Sequence, residues 1–163
     1  GRDSLFFAEM GFNVVSFDAS ENAIGAARAR ANERQLDNIQ YIIGDINGPE
    51  LKAAIGQLDN KPACVYARFF LHAITENEQQ AFFEMLSKTL KVGHMLAFEY
   101  RTSEDQHLVK DAPPHFRRYQ DAKMVNDTLT GLGFDNLYAI QGHGFAKYKL
   151  DDAHVARCLF VRR

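Results

Sequence analysis

The chain has 163 residues, 46% hydrophobic and 25% charged, with 19 Lys and Arg against 21 Asp and Glu and a formal charge of −2. These ordinary globular values exclude a mainly disordered state, which needs few apolar residues and an excess of one charge sign. A nearly neutral chain casts no long-range field for nucleic acid or an anionic membrane, and the length suits one domain with its own core.

Apolar runs alternate with helical patterns. Residues 3–10 read as a helix stopped by Gly11, and 13–17 (NVVSF) as a β-branched, aromatic strand. Ser20 is the N-cap of a helix over 20–35, 39–43 is a second strand, and 49–57 is a weak helix. Pro62 sets off a strand at 63–67. Thr75 and Glu78 form a capping box for a helix that carries Phe82, Leu86 and Leu90 at i+4 spacing and ends at Gly93. A strand follows at 94–100, then a polar irregular stretch at 101–120, long enough to suggest a lid. A helix over 121–132 presents Val125, Leu129 and Leu132 and stops at Gly133. Strands at 135–141 and 154–161, joined by a loop with Gly142 and Gly144, close the chain. Phe6, Phe7, Phe82, Phe83 and Leu86 are expected in the core. Lys147 and Lys149, alternating with Tyr148, are expected on a solvated loop. Strands alternating with helices predict an α/β fold, a three-layer α/β/α sandwich whose sheet is mostly parallel. The last two strands have no helix between them and are expected to pair antiparallel.

No apolar run approaches the about 18–20 residues that span a bilayer, and the chain opens without a secretory signal. Cys64 and Cys158 both lie in apolar, strand-like runs and are expected as buried, reduced thiols, which points to the cytoplasm. No Cys or His spacing suggests a metal site.

Ligands of open α/β sheets bind outside the carboxyl ends of the strands, so the residues just after each strand are the candidates. Asp18 ends the first strand, where an ionised carboxylate can accept from two ribose hydroxyls; a helix N-terminal role explains it equally well. Asp45, in Gly44-Asp45-Ile46, can accept from an adenine amine while Ile46 packs on the base; the alternative is a plain turn. Gly1 opens the first helix, whose N-terminal N–H groups suit an anionic or polar ligand.

The ordered set GRDSLFFA (1–8), NVVSFDAS (13–20), IQYIIGDI (39–46), VYARFFLHAI (65–74), GHMLAFEYRT (93–102) and GLGFDNLYAI (131–140) resembles the class I S-adenosylmethionine-dependent methyltransferases over essentially the whole chain. The resemblance implies a Rossmann-like fold with S-adenosyl-L-methionine as cofactor. Gly1 would then contact the methionine part, Asp18 and Ala19 the ribose, and Asp45 with Ile46 the adenine. Arg68 and Phe69 would lie where cofactor and acceptor meet. The family has a strand and a glycine-rich turn before its first helix, of which Gly1 resembles the last glycine. The first strand is therefore expected to be missing and the chain to be a fragment. The absent strand would leave two sheet edges unpaired, beside the strands at 13–17 and 63–67.

His72 is the candidate general base, with Arg68 as its catalytic neighbour, because its unperturbed pKa lies near neutrality; the alternative is a bracing histidine. Arg101, His115, Arg117 and Arg118 are the candidate acceptor-binding residues. Guanidinium forks suit a carboxylate or phosphate, so a small anionic acceptor is implied, such as an acidic sugar methylated on oxygen. The alternative is that Glu99, Asp105 and these arginines pair among themselves. The RFFLHAI segment, the E-x-R-T run and the later H-x-R-R stretch resemble bacterial methyltransferases of cell-envelope glycan synthesis. Two other readings stay open: a non-catalytic interaction module and, less favoured, a nicotinamide-dependent oxidoreductase. RNA as the acceptor is disfavoured by the acidic balance. Oligomeric state is not legible.

Overall fold

The computed structural model describes residues 1–58, 62–108 and 116–163. The chain divides into two compact units, Gly1–Asp59 and Asn60–Arg163.

The first unit runs α1 (Arg2–Glu9), β1 (Val14–Asp18), α2 (Glu21–Glu33), β2 (Ile39–Ile43) and α3 (Pro49–Gly56). Helix α1 buries Leu5 and Ala8, three residues apart on one face. Phe6 sits a third of a turn away and is 54% exposed, and Phe7 is only half-buried, so the expectation that both are core fails on helix geometry. The Ser20 hydroxyl caps α2 by accepting from the Ala23 N–H. Ile24, Ala27 and Ala31 then bury one stripe. β1 and β2 pair parallel, Val14 opposite Ile39 and Asp18 opposite Ile43. The Asn38 side-chain amide donates to the Ala8 and Phe12 carbonyls, which fixes the turn after α1 against the start of β2.

The second unit runs β3 (Cys64–Arg68), a 3₁₀ turn (Leu71–Ala73), α4 (Glu76–Thr89), β4 (Met95–Arg101), a second 3₁₀ turn (Ser103–Asp105), α5 (Ala122–Gly131), β5 (Phe134–Gly142), β6 (Lys147–Tyr148), β7 (Asp151–Asp152) and β8 (Val155–Arg162). Its main sheet has the order β3-β4-β8-β5. β3 and β4 are parallel; β8 runs antiparallel to both β4 and β5, as the missing crossover helix requires. The core lies on the face that α4 and α5 cover. Phe83 stacks on Phe98 with ring centres 6.0 Å apart, and Leu86, Leu96, Leu129, Phe134 and Phe160 fill in around them. The capping box forms as expected: Thr75 Oγ1 accepts from the Glu78 N–H, and Glu78 accepts from the Thr75 N–H at 2.7 Å. Gly133 ends α5 at φ +89°, a left-handed backbone that favours glycine.

Among the described residues β1 pairs only with β2, and β3 pairs only with β4, so each has one open edge. Cys64 lies on the open-edge strand and is exposed, against expectation; Cys158, in the interior strand β8, is buried. The stretch 145–152 is not a plain loop, because β6 and β7 form a short hairpin. Lys147 and Tyr148 on it are exposed. The irregular stretch after β4 is anchored at both ends: Thr102 bridges Gln120, and both are buried. No helix is long and apolar enough to cross a membrane among the described residues.

Two predictions follow from this packing. Thr75→Ala removes the N-cap of α4 and should cost about 1 kcal/mol in a denaturant titration. Burial pushes the Cys158 thiol up from 9.0 to about 11. The folded state therefore keeps its proton longer than the unfolded one, and that stability is complete below about pH 9 and lost as the pH climbs towards 11. Thiol labelling at neutral pH should modify Cys64 in the native chain and reach Cys158 only after unfolding. Equal labelling of both in the native state would contradict the burial.

Candidate active site

In the first unit, β1 and β2 bring two carboxylates to adjoining strand ends. Asp18 is the last residue of β1, and its carbonyl accepts the Gly44 N–H at 3.2 Å, which carries the β1–β2 pairing one step beyond β2. Its side chain is exposed. Oδ1 accepts the Ser20 N–H at 2.9 Å, which turns the chain into α2. Oδ2 accepts nothing from the described residues and is open to two further donors. Asp45 repeats the arrangement one strand over: Oδ1 accepts the Asn47 N–H at 2.9 Å and its carbonyl accepts the Gly48 N–H. Ile46 beside it is half-buried and Ala19 is exposed. Gly1 is the N-cap residue of α1. A Cβ at Gly1 would fall 2.5 Å from the Ala27 Cβ, so the close approach of this turn to α2 excludes any side chain.

In the second unit, the carboxyl ends of β3 and β4 collect a denser set. Arg68 ends β3 opposite Glu99 of β4. Phe69 follows at φ +54°, a left-handed backbone that a bulky residue adopts only under constraint. The constraint is visible. Its N–H donates to the Glu99 carbonyl at 2.8 Å, and its ring lies 5.8 Å from the Arg68 guanidinium carbon and 5.7 Å from that of Arg101. The His72 ring meets it edge-on at 5.6 Å.

His72 is 4% exposed, and its Nδ1 accepts the backbone N–H of Arg101 at 3.2 Å. An amide can only donate, so the neutral imidazole here carries its hydrogen on Nε2. In that tautomer Nε2 has no lone pair with which to take a proton, so the geometry makes His72 a brace between the 3₁₀ turn and the end of β4. A base role would require breaking the Arg101 bond.

Arg101 does not present a free fork. Nη1 donates to Asp105 and Nη2 to Asp151, each at 2.6 Å, and the three side chains are buried. Burial works against the Arg101 charge, but the two carboxylates outweigh it and hold its pKa above the ordinary value. Asp105 also accepts the His154 N–H at 2.9 Å. Arg118 is likewise engaged, donating from Nε to the Ile74 carbonyl and from Nη2 to Gln79 Oε1 at 2.6 Å. Arg117 is half-buried, and His115 lies outside the described residues. Self-pairing, one of the two alternatives left open by the sequence, thus describes Arg101 with Asp105; Arg118 is held instead by a carbonyl and an amide, and Glu99 pairs with Arg157.

Three participants carried no sequence signal. Gln120, 2% exposed, donates to the Leu71 and Arg118 carbonyls and ties the 3₁₀ turn to the segment before α5. Asp151 lies fifty residues from the arginine it holds. His154 reaches the same network from the start of the last strand. Non-local partners of this kind leave no local spacing to read.

The family model for a methyltransferase domain matches residues 1–93, more than half of the chain and all of the strand-end residues of the first unit. A search of curated proteins finds no match. Among solved structures, the glycopeptide N-methyltransferase MtfA complexed with S-adenosylhomocysteine superposes with a TM-score of 0.73 at 15% identity, covering 100% of this chain and 78% of that one. TehB from Haemophilus influenzae gives 0.73 at 15% identity, over 100% of this chain and 54% of its own. A SAM-dependent methyltransferase from Methanosarcina mazei gives 0.74 at 14%, over 98% and 86%. At these identities the structures speak for the Rossmann-like fold alone; with the family model covering residues 1–93, the chain belongs to the methyltransferase domain family.

Proposed function

We propose that the chain takes part in S-adenosylmethionine-dependent methyl transfer to a small acceptor. The observation that carries this reading is the pair of strand-end carboxylates, Asp18 and Asp45, on adjoining parallel strands of a methyltransferase domain. When bound, the cofactor supplies an electrophilic methyl group on a sulfonium, transferred by in-line displacement. The protein's share is alignment. The open Oδ2 of Asp18 suits two ribose hydroxyls, Asp45 an exocyclic amine, and half-buried Ile46 one face of a purine. Gly1 keeps its turn bare of side chain, and Ala19 beside Asp18 adds no bulk. MtfA, with 78% of its length covered by this chain, is crystallised with S-adenosylmethionine as well as S-adenosylhomocysteine, which supports the same cofactor here.

The strand ends of the second unit serve the acceptor in this reading. Arg68 and Phe69 form its wall, with Phe69 held in place by the Glu99 carbonyl and two guanidinium groups. His72 acts by position, through its bond to the Arg101 N–H. A sugar or carboxylate-bearing acceptor methylated on oxygen remains the proposed class. Arg101 and Arg118 are committed to protein partners, so recognition of its acid group is assigned to Arg117 in this reading. Cytoplasmic residence fits a reaction that uses this cofactor.

Calorimetric titration with S-adenosylhomocysteine tests the cofactor. Saturable binding is expected, with Asp18→Ala weakening it at least tenfold, roughly the value of one charge-assisted hydrogen bond. A folded chain that ignores the ligand would remove the methyltransferase reading in favour of an interaction module. The tautomer of His72 is checked by its imidazole nitrogen resonances near pH 7.5: hydrogen on Nε2 is expected, and hydrogen on Nδ1 would restore the base role.

A further inference from the structure

Glu99 is the third-last residue of β4 and only 4% exposed, yet its two carboxylate oxygens live differently. Oε2 accepts from Arg157 Nε at 2.6 Å, and Oε1 receives no hydrogen bond from the described residues. An arginine fork can satisfy both oxygens of one carboxylate. Here the fork is divided instead: Arg157 Nη2 donates to the Phe145 carbonyl at 2.7 Å, and the guanidinium carbon lies 5.3 Å from the Phe145 ring. Arg157 is thereby held by the loop before β6 and reaches Glu99 with one nitrogen only. A buried, ionised acceptor left bare is among the costliest polar defects a fold can carry, and native structures keep few of them.

The place of this defect is informative. Glu99 stands opposite Arg68 in the parallel register, and its own carbonyl takes the N–H of Phe69, the residue in the left-handed backbone. It therefore sits at the carboxyl end of two parallel strands, where ligands of open α/β sheets bind, beside one residue held in a costly conformation. The other buried orphan atom among the described residues, His94 Nδ1, lies just before the first residue of β4, at the opposite end of the strand.

We propose that Glu99 Oε1 is a binding point for the acceptor, and that it takes a hydrogen-bond donor: a hydroxyl or an amine of a polyhydroxylated, sugar-like molecule. This rests on the methyltransferase reading above. A carboxylate oxygen repels acids, so the donor-bearing part of the acceptor faces Glu99 and any acidic part is turned elsewhere. Ala97 and Leu159, the neighbouring register pair on the same face of the sheet, are half-buried and apolar, which strengthens a hydrogen bond made there.

The test is Glu99→Gln in the full chain saturated with S-adenosylhomocysteine. Arg157 Nε still demands an oxygen, so the amide turns its nitrogen to the bare position and converts an acceptor into a donor without changing shape. Three probes on one ring skeleton are titrated by ligand-observed NMR: methyl glucoside, glucosamine and glucuronate. Saturable binding of at least one is expected in the wild type, with a tenfold or greater loss in Glu99→Gln and no change in S-adenosylhomocysteine affinity. Tighter binding of glucosamine than of methyl glucoside identifies an amine as the donor, and the reverse order a hydroxyl. Glu99→Asp, which withdraws the bare oxygen by one methylene and keeps the charge, should give the same loss, and it stands in if the glutamine variant does not fold. Unchanged probe binding in the variants overturns the proposal, as does a wild-type chain that binds S-adenosylhomocysteine and none of the probes. A chain that binds no S-adenosylhomocysteine fails the broader reading instead, and the proposal falls with it.

Discussion

The second unit is organised around one buried cation. Arg101 closes β4, and its guanidinium is held by Asp105 from the turn that follows and by Asp151 from the β6–β7 hairpin. A buried guanidinium is tolerated only when its charge is met, so three stretches of chain must converge for any of them to be stable. Everything at the end of β3 then inherits its position from Arg101. Its backbone N–H sets the His72 tautomer, its carbonyl receives the Gln120 N–H, and its guanidinium lies over the Phe69 ring. The clamp thus supports the turn after β3, with both guanidinium arms already engaged by carboxylates. Replacing it by an apolar group would leave two carboxylates uncompensated in the interior.

The first unit reaches its site by simpler means. Two parallel strands end one beside the other, and each hands over to a turn stabilised by an aspartate that accepts a backbone N–H two residues on. One carboxylate oxygen holds the loop, and the other accepts no hydrogen bond from the described residues. In the proposed reading local structure and cofactor binding share one side chain, which is why each aspartate alone also admits a plain structural explanation.

That contrast explains how much could be read from the sequence. The main strands and most helices were legible within a residue or two, because apolar spacing and capping residues are local signals; α4 was the exception, ending at Thr89 and not at Gly93. Thr75 with Glu78 and the glycines at 11 and 133 each behaved as their chemistry dictates, whereas Gly93 lies in the turn before β4, beyond the end of α4. Asp18 and Asp45 were legible for the same reason: their position after a strand is a local fact. What escaped was non-local. Nothing near Arg101 announces Asp151, nothing near Glu99 announces that Arg157 will offer one nitrogen instead of two, and the exposure of Phe6 depends on the helix phase set by Leu5 and Ala8. Cys64 looked buried because its strand is apolar, and its exposure reflects the open edge of β3, a property of the sheet and not of the segment.

The insertion of β8 between β4 and β5 also dictates an order of assembly. β5 precedes β8 along the chain, yet among the described residues its only sheet partner is β8. During synthesis α5 and β5 leave the ribosome with no strand to join, and β5 keeps its hydrogen-bonding groups in water until β8 arrives and pairs with β4. The sheet of the second unit is therefore completed from its interior outwards, by pairings such as Met95 with Val161 that close loops of more than sixty residues. Such long closures are intrinsically slow. Ribosome-bound intermediates that stop short of β8 will carry an unpaired nine-residue strand, and this is the stage at which the nascent chain most needs protection from its neighbours.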